Sequence, residues 1–219
     1  MDNRIFYKKA AKYWSSIPST IDGVLGGFGF ITDIDIKGSK QFLNELFTCE
    51  TPPAQNRALD CGAGIGRVSK NLLFPYFNKV DLVEQDEKFI TTAKQLIGDD
   101  CKLGTLYQIG LQLFKPPLKY DLIWCQWVLG HLNDSDLISF LERCKEALNE
   151  NGMIVIKENT TTTNDIEYDD VDSSMTRPYN LMLKIFDEAN LKLIKTDVQT
   201  GFPDDIYPVH MFALKAKPD

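Results

Sequence analysis

Four carboxylates crowd into six residues of "EYDDVDSS" (167–174): Glu167, Asp169, Asp170 and Asp172. They follow an apolar run, "MIVIKEN" (153–159), in which Lys157, Glu158 and Asn159 are the first polar residues. A third polar group is His131, in "WCQWVLGHL" (124–132). Carboxylates at the exit of a buried strand can form a mouth for a cation, and a histidine beside them can move a proton near neutral pH. A solvated turn accounts for the same carboxylates, and Glu167 and Asp170 read as such. His131 alone reads equally as a core histidine. A calcium loop is excluded, because an EF-hand needs glycine at loop position six and glutamate at twelve. Counted from Asp170, those positions hold Met175 and Leu181.

A second chemical signal is "LDCGAGIGR" (59–67). Gly62, Gly64 and Gly66 let a strand turn sharply and let backbone approach a ligand. A dinucleotide site requires G-x-G-x-x-G to seat a pyrophosphate. Here the third glycine comes one residue early and Arg67 takes its place, which suits a cofactor without a pyrophosphate. Glu84 ends the next strand, 18 residues after Gly66, where an acid accepts ribose hydroxyls. A tight turn without a ligand remains the plain alternative. The glycines at 23, 26, 27 and 29 lack the G-K-[ST] of a phosphate loop and follow no strand.

These residues must be held by something. Apolar runs predict strands at 57–62, 79–85, 104–110, 120–130, 153–159, 192–199 and 209–217, and helical spacing predicts helices at 67–77, 87–98, 134–152 and 178–191. Gly98 is placed as a C-cap, Asp134 or Ser135 as an N-cap, and Gly152 as a helix stop. Trp124 and Trp127, three apart, cannot share one strand face, so at least one of the pair needs another explanation, such as a strand that ends before Trp127. Alternating strands and helices predict a mainly parallel sheet closed by an antiparallel hairpin. Residues 1–50 lie outside this alternation, with one or two helices and a glycine-rich lid able to close over the carboxyl ends of the strands. Residues 51–219 are expected to form the α/β domain that carries the sheet.

Composition narrows the class. The 219 residues carry 24 Lys+Arg against 31 Asp+Glu, a net charge of −7, which disfavours nucleic acid as a direct partner. No stretch reaches the roughly 20 apolar residues of a membrane span, and the N-terminus has no signal-peptide core. Five cysteines, odd in number and without C-x-x-C, read as reduced thiols of an intracellular protein, cytoplasmic with the nucleus as a second compartment. Two histidines make a zinc site unexpected, so no metal is assigned.

The G-x-G-x-G turn with Glu84 resembles the first two motifs of the seven-strand S-adenosylmethionine-dependent methyltransferases. The segments 124–132, 155–159, 169–174 and 22–29 closely resemble the protein N-terminal (α-N) methyltransferases, over about Tyr13 to Leu214. The resemblance implies an α/β, Rossmann-like fold: a seven-stranded, mostly parallel sheet with one antiparallel strand, helices on both faces and an N-terminal helical lid. It implies methyl transfer to the free α-amine of proteins beginning Xaa-Pro-Lys or Xaa-Pro-Arg after loss of the initiator methionine, by a monomer, with S-adenosyl-L-homocysteine as the other product. Gly62 and Gly64 would back the cofactor, Arg67 meet its carboxylate and Glu84 its ribose, with Leu111 and Gln112 at the adenine and Gln126 on the cofactor side. Asp172 and His131 would take the amine proton. Asn159 would bond the first substrate carbonyl, Trp127 face the second-position proline, and Asp169 and Asp172 flank the third-position cation. Trp14, Leu25, Ile31, Ile206 and Tyr207 would complete the lid and pocket. Glu84 stands where many relatives carry Asp.

Three competing readings follow from the residues: a methyltransferase of small-molecule amines, a non-catalytic peptide-binding module, and, disfavoured by the shifted glycine, a dehydrogenase.

Overall fold

The computed structural model describes residues 3–218. Its centre is a sheet of β1 (Arg57–Cys61), β2 (Lys79–Glu84), β3 (Leu103–Gln108), β4 (Tyr120–Gln126), β5 (Leu148–Thr161), β8 (Leu191–Val198) and β9 (Val209–Ala216). These run in the spatial order β3-β2-β1-β4-β5-β9-β8, and β9 is antiparallel to both its neighbours. The seven strands and the single reversed strand match the expected sheet. A hairpin of β6 (Glu167–Asp169) and β7 (Ser174–Pro178) adds two short strands, β7 pairing with the end of β5 at Thr160 and Thr161.

Strand alternation builds two apolar layers. On β4, Ile123 and Cys125 face one side while Leu122 and Trp124 face the other. The first layer is closed by α5 (Asp134–Glu146) and α6 (Tyr179–Glu188), through Phe140, Leu141, Met182 and Phe186. The second is closed by α4 (Glu87–Ile97), a π-helical stretch at Ser69–Leu73, and α3 (Thr32–Phe47), whose Phe42, Leu43 and Leu46 are buried in it. The N-terminal region therefore holds three helices rather than one or two: α1 (Asn3–Ser16), the single turn α2 (Ile21–Val24) and α3. Among the described residues no helix is long and apolar enough to cross a membrane.

Local chemistry corrects four boundaries. The N-cap of α5 is Asn133, whose Oδ1 accepts from the amide of Asp136 at 2.9 Å. That helix ends at Glu146, not Gly152; a Cβ at Gly152 would lie 2.8 Å from the Tyr120 carbonyl oxygen, so this glycine admits the neighbouring strand. The helix expected at 67–77 is shortened to a widened turn in which the Phe74 amide bonds the Ser69 carbonyl at 2.9 Å. Gly98 does close α4, at φ +70. β4 ends at Gln126 rather than at 130, because Trp127 turns away at φ +51 while Trp124 stays in the core.

Candidate active site

The cleft lies at the carboxyl ends of β1, β2 and β4 and encloses about 980 Å³ of non-atom space, open solvent included. Its floor is the glycine turn. A Cβ on Gly62 would sit 2.4 Å from Val128, and Gly62, Gly64 and Gly66 all have positive φ, so no side chain fits there without strain. Glu84 braces the turn: one carboxylate oxygen accepts from the Gly64 amide and the other from the Asp86 amide, both at 2.9 Å. Burial raises its pKa against those amides. Glu84 lines the cleft, and a carboxylate has more acceptor sites than these amides fill. Leu111, Gln112, Val83 and Phe89 supply a largely apolar wall beyond it.

At the other end Arg67 reaches the cleft from a buried charge network. Asp35 on α3 meets Arg67 at 2.6 Å and Lys157 at 2.5 Å, and Gln126 Nε2 donates to both its oxygens at 2.9 and 3.0 Å. Lys157 also donates to Ser39 Oγ at 2.9 Å and to Gln199 Oε1 at 2.7 Å. Burial pushes the Asp35 carboxyl up, but the two cations prevail and hold it below the usual range. Two cations on one carboxylate leave a surplus positive charge, which suits a ligand carboxylate. An apolar slot, an acid able to take hydroxyls and a buried cation, in that order, fit the adenine, ribose and carboxylate of S-adenosylmethionine.

Above this cleft sits α1. Tyr7, Ala10 and Trp14 line it, and Leu25 reaches it from the short turn that follows. Lys88 donates to the carbonyls of Ser15 (2.8 Å) and Ile17, and Tyr7 donates to Asp136. Trp14 stacks edge-on against both Phe89 and His131.

His131 ends a 3-10 turn at Leu129–His131. Its Nε2 accepts from the Trp14 indole N–H at 2.9 Å, so its proton sits on Nδ1, which faces the Ser173 carbonyl at 3.3 Å. Burial lowers its pKa, partly opposed by the negative charge of Asp172 and by the Ser173 carbonyl. The Oδ1 of Asp172 is buried without a hydrogen-bond partner. Such an orphan is costly unless a ligand satisfies it. Trp127 lines the cleft, donates from Nε1 to Asn159 Oδ1 at 3.1 Å, and packs near Arg67 and Phe202.

The structure thus gathers Trp14, Leu25, Gly62, Gly64, Arg67, Glu84, Leu111, Gln112, Gln126, Trp127 and His131 around one cleft. Asn159 joins through Trp127, and Asp172 through its charge on His131. Asp169 caps its own hairpin, accepting from the Val171 amide at 2.7 Å; burial and then the charges of Asp172 and Asp169 raise the Tyr13 phenol, while the bond to Glu167, burial and the charges of Glu167 and Asp169 raise that of Tyr207. Tyr207 donates to Glu167 at 2.5 Å, and Glu167 and Asp170 are both exposed, as expected of a solvated turn. Ile206 stands on the turn whose amide bonds Pro203 at 3.2 Å. Ile31 is buried under the lid and does not line the cleft. Sequence reasoning missed Asp35, Lys157, Glu158 and Arg177; the only signal was a charged pair, Lys157-Glu158, closing an apolar run.

Comparison with known proteins agrees with this geometry. Residues 2–215 match the family described as AdoMet-dependent proline di-methyltransferase. The chain belongs to this family. A relative from Xenopus tropicalis, N-terminal Xaa-Pro-Lys N-methyltransferase 1, is 47% identical over 218 residues, covering 98% of this chain and 97% of its own. The human protein of that name shows the same identity over the same length. Alpha N-terminal protein methyltransferase 1 of Drosophila melanogaster is 46% identical over 214 residues, 96% of this chain and 76% of its own. A solved SAM-dependent methyltransferase from Leishmania major superposes with a TM-score of 0.90 at 36% identity, covering 96% of this chain and 83% of that one. This methyltransferase is accordingly an enzyme whose cofactor is S-adenosylmethionine, and the glycine turn, Glu84 and Arg67 are the parts of it that fit that cofactor.

Proposed function

We propose that the chain methylates the free α-amine of proteins that begin Xaa-Pro-Lys or Xaa-Pro-Arg once the initiator methionine is gone. The observation that carries this reading is the unpartnered, buried Oδ1 of Asp172 beside His131. It is an acceptor waiting for a donor, and a protonated amine is the donor that matches its charge. The relatives named for Xaa-Pro-Lys N-methylation support the same substrate.

Bound in the cleft, S-adenosylmethionine supplies a methyl group made electrophilic by its sulfonium. The chain's residues do the rest. An α-amine has a pKa of about 7.7–8.0, so near neutral pH it arrives largely protonated and must lose a proton before it is nucleophilic. Asp172 receives that proton through its free oxygen. His131 acts as the second base, taking the proton at Nε2 once the Trp14 N–H lets go. Asn159 presents its Nδ2 amide group to the first backbone carbonyl while its oxygen stays on Trp127. The Trp127 ring faces the second-position proline. Asp169 and Asp172 select a third-position cation, and Glu167 holds Tyr207 against the tail. Trp14, Leu25 and α1 exclude water. The enzyme works as a monomer in the cytoplasm and nucleus, on protein tails rather than nucleic acid or membrane.

Mass spectrometry of a Ser-Pro-Lys-Arg peptide, incubated with enzyme and cofactor beside its N-acetylated twin, tests this. Methyl increments are expected on the free peptide alone. Increments on both would move the acceptor to the lysine side chain, and none on either would leave a different amine as substrate.

A further inference from the structure

We propose that Glu158 and Arg177 are positioning residues for catalysis, clamping the 127–132 turn so that Trp127 and His131 face the substrate; this rests on the function proposed above. The ladder between β4 and β5 ends at the pair Gln126–Lys157. Beyond it the chain leaves the sheet through Trp127, at φ +51, a conformation a bulky residue adopts only when its surroundings impose it. The amides and carbonyls that follow have no strand to pair with, and three consecutive residues of β5 supply what the ladder no longer does. The Lys157 carbonyl accepts from the Trp127 amide at 3.1 Å. One oxygen of Glu158 accepts from the amides of Val128 and Leu129, at 2.7 and 2.8 Å. Asn159 accepts from the Trp127 indole.

The carbonyl side is held from β7. Arg177 donates to the Leu129 carbonyl at 3.1 Å, to the Leu132 carbonyl at 2.5 Å, and to Asp134 Oδ1 at 2.8 Å. Glu158 is 8% exposed and Arg177 2%. Burying a carboxylate and a guanidinium is costly, and the groups that offset it here belong mainly to one short turn. Burial pushes the Glu158 carboxyl up to about 7, against the pull of the two amides and of Arg177. Neither side chain lines the cofactor cleft, so both act on the reaction through the turn.

The test uses Glu158→Asp, Glu158→Gln and Arg177→Lys in the full chain. Three quantities are measured: kcat/KM for the Ser-Pro-Lys-Arg peptide, the cofactor Kd, and hydrogen exchange at the Val128 and Leu129 amides. Asp is a methylene too short to reach both amides, and Lys cannot span two carbonyls and Asp134. Each should lower kcat/KM at least about tenfold while the cofactor Kd stays within about threefold. Their Val128 and Leu129 amides should exchange about tenfold faster or more, with Ile123 in β4 unchanged. Gln keeps an oxygen at the original reach and should restore both activity and protection to within about threefold of wild type. Wild-type turnover in both short variants, cofactor affinity falling in step with activity, or Gln as poor as Asp would each overturn the clamp. If either short variant fails to fold, the other carries the same reading. If wild-type enzyme leaves the peptide unmodified, the substrate assignment fails, and exchange alone then decides the clamp.

Discussion

The indole N–H of Trp14 and Nε2 of His131 are joined by a 2.9 Å hydrogen bond across 117 residues of sequence. The bond ties the lid to the reaction centre. It also fixes the imidazole as a neutral tautomer, with Nδ1–H toward the Ser173 carbonyl. Both ring nitrogens are therefore engaged, while Asp172 keeps an open acceptor. The two candidate bases are thus not equivalent: Asp172 is ready, and His131 is available only when the lid relaxes.

Replacing Trp14 with Phe should raise the pKa of His131. The indole bonds only the unprotonated Nε2, so it favours the neutral ring; without it the proton is held more tightly, while Phe preserves most of the burial that depresses the value. A group with a depressed folded pKa stabilises the fold above its unfolded value, 6.5 here, and that stability is lost as pH falls. The variant should lose less stability on acidification than wild type. Proton NMR titration reads the midpoint directly, because only two histidines are present. An unchanged or lower midpoint would show that Trp14 does not govern the ring.

Asp172→Asn should lower kcat about 10²–10³-fold while leaving cofactor affinity within about threefold. The amide keeps the shape and hydrogen-bonding reach of the acid but cannot accept the amine proton. Single-turnover assays near pH 7 and pH 9 distinguish the role: at the higher pH the α-amine is already deprotonated, so the deficit should shrink. A deficit that is the same at both values would make Asp172 a binding group only.

The cofactor half of the site was readable because its chemistry is local. Gly62, Gly64, Arg67 and Glu84 sit at the ends of two adjacent strands, and strand periodicity alone brings them together. The break at Trp127 was only half legible: two tryptophans three apart cannot share a strand face, but the run to Gly130 hides where the strand stops. The remainder depends on long-range packing that no local pattern encodes. Lys157 looks like a polar residue closing a strand, yet it is buried because Asp35, 122 positions earlier, arrives on α3. Glu167 is exposed as its sequence suggests, but the Tyr207 hydroxyl that bonds it comes from 40 positions later. The cap of α5 was missed for a different reason: Asn133, Asp134 and Ser135 are all good N-caps, and only the Tyr7 hydroxyl and Asp136 converging on Asn133 decide among them.

Glu84→Ala should weaken cofactor binding about 10–100-fold. Its carboxylate offers acceptors to the cleft and also pins the Gly64 and Asp86 amides, so both the ligand and the glycine turn lose a partner. Glu84→Asp should recover part of the loss, since a shorter carboxylate can serve the ribose or the Gly64 amide but not both at full strength. Calorimetric titration with S-adenosyl-L-homocysteine measures the difference; an Ala variant that binds like wild type would remove Glu84 from the cofactor.

Asp60→Asn should alter stability in a way that depends on pH. Asp60 is the last residue but one of β1, just before the glycine turn, and is buried, with one oxygen accepting from Ser69 Oγ at 2.6 Å. Burial pushes its carboxyl up to about 6 from an ordinary 3.8, and the Ser69 hydroxyl and the Arg67 charge only partly resist. A raised folded pKa means that the acid is favoured over the carboxylate. Its contribution is therefore fully present below pH 3.8 and is lost as pH rises through about 6. Asparagine keeps an acceptor for Ser69 but has no charge to bury. The difference in unfolding free energy between variant and wild type should thus move in the variant's favour between pH 4 and pH 7. The upper limit of that change is about 3 kcal/mol, from a shift of about two pH units. Urea unfolding at the two pH values gives the number, and a difference that does not vary with pH would mean that Asp60 is already charged in the folded chain at pH 4.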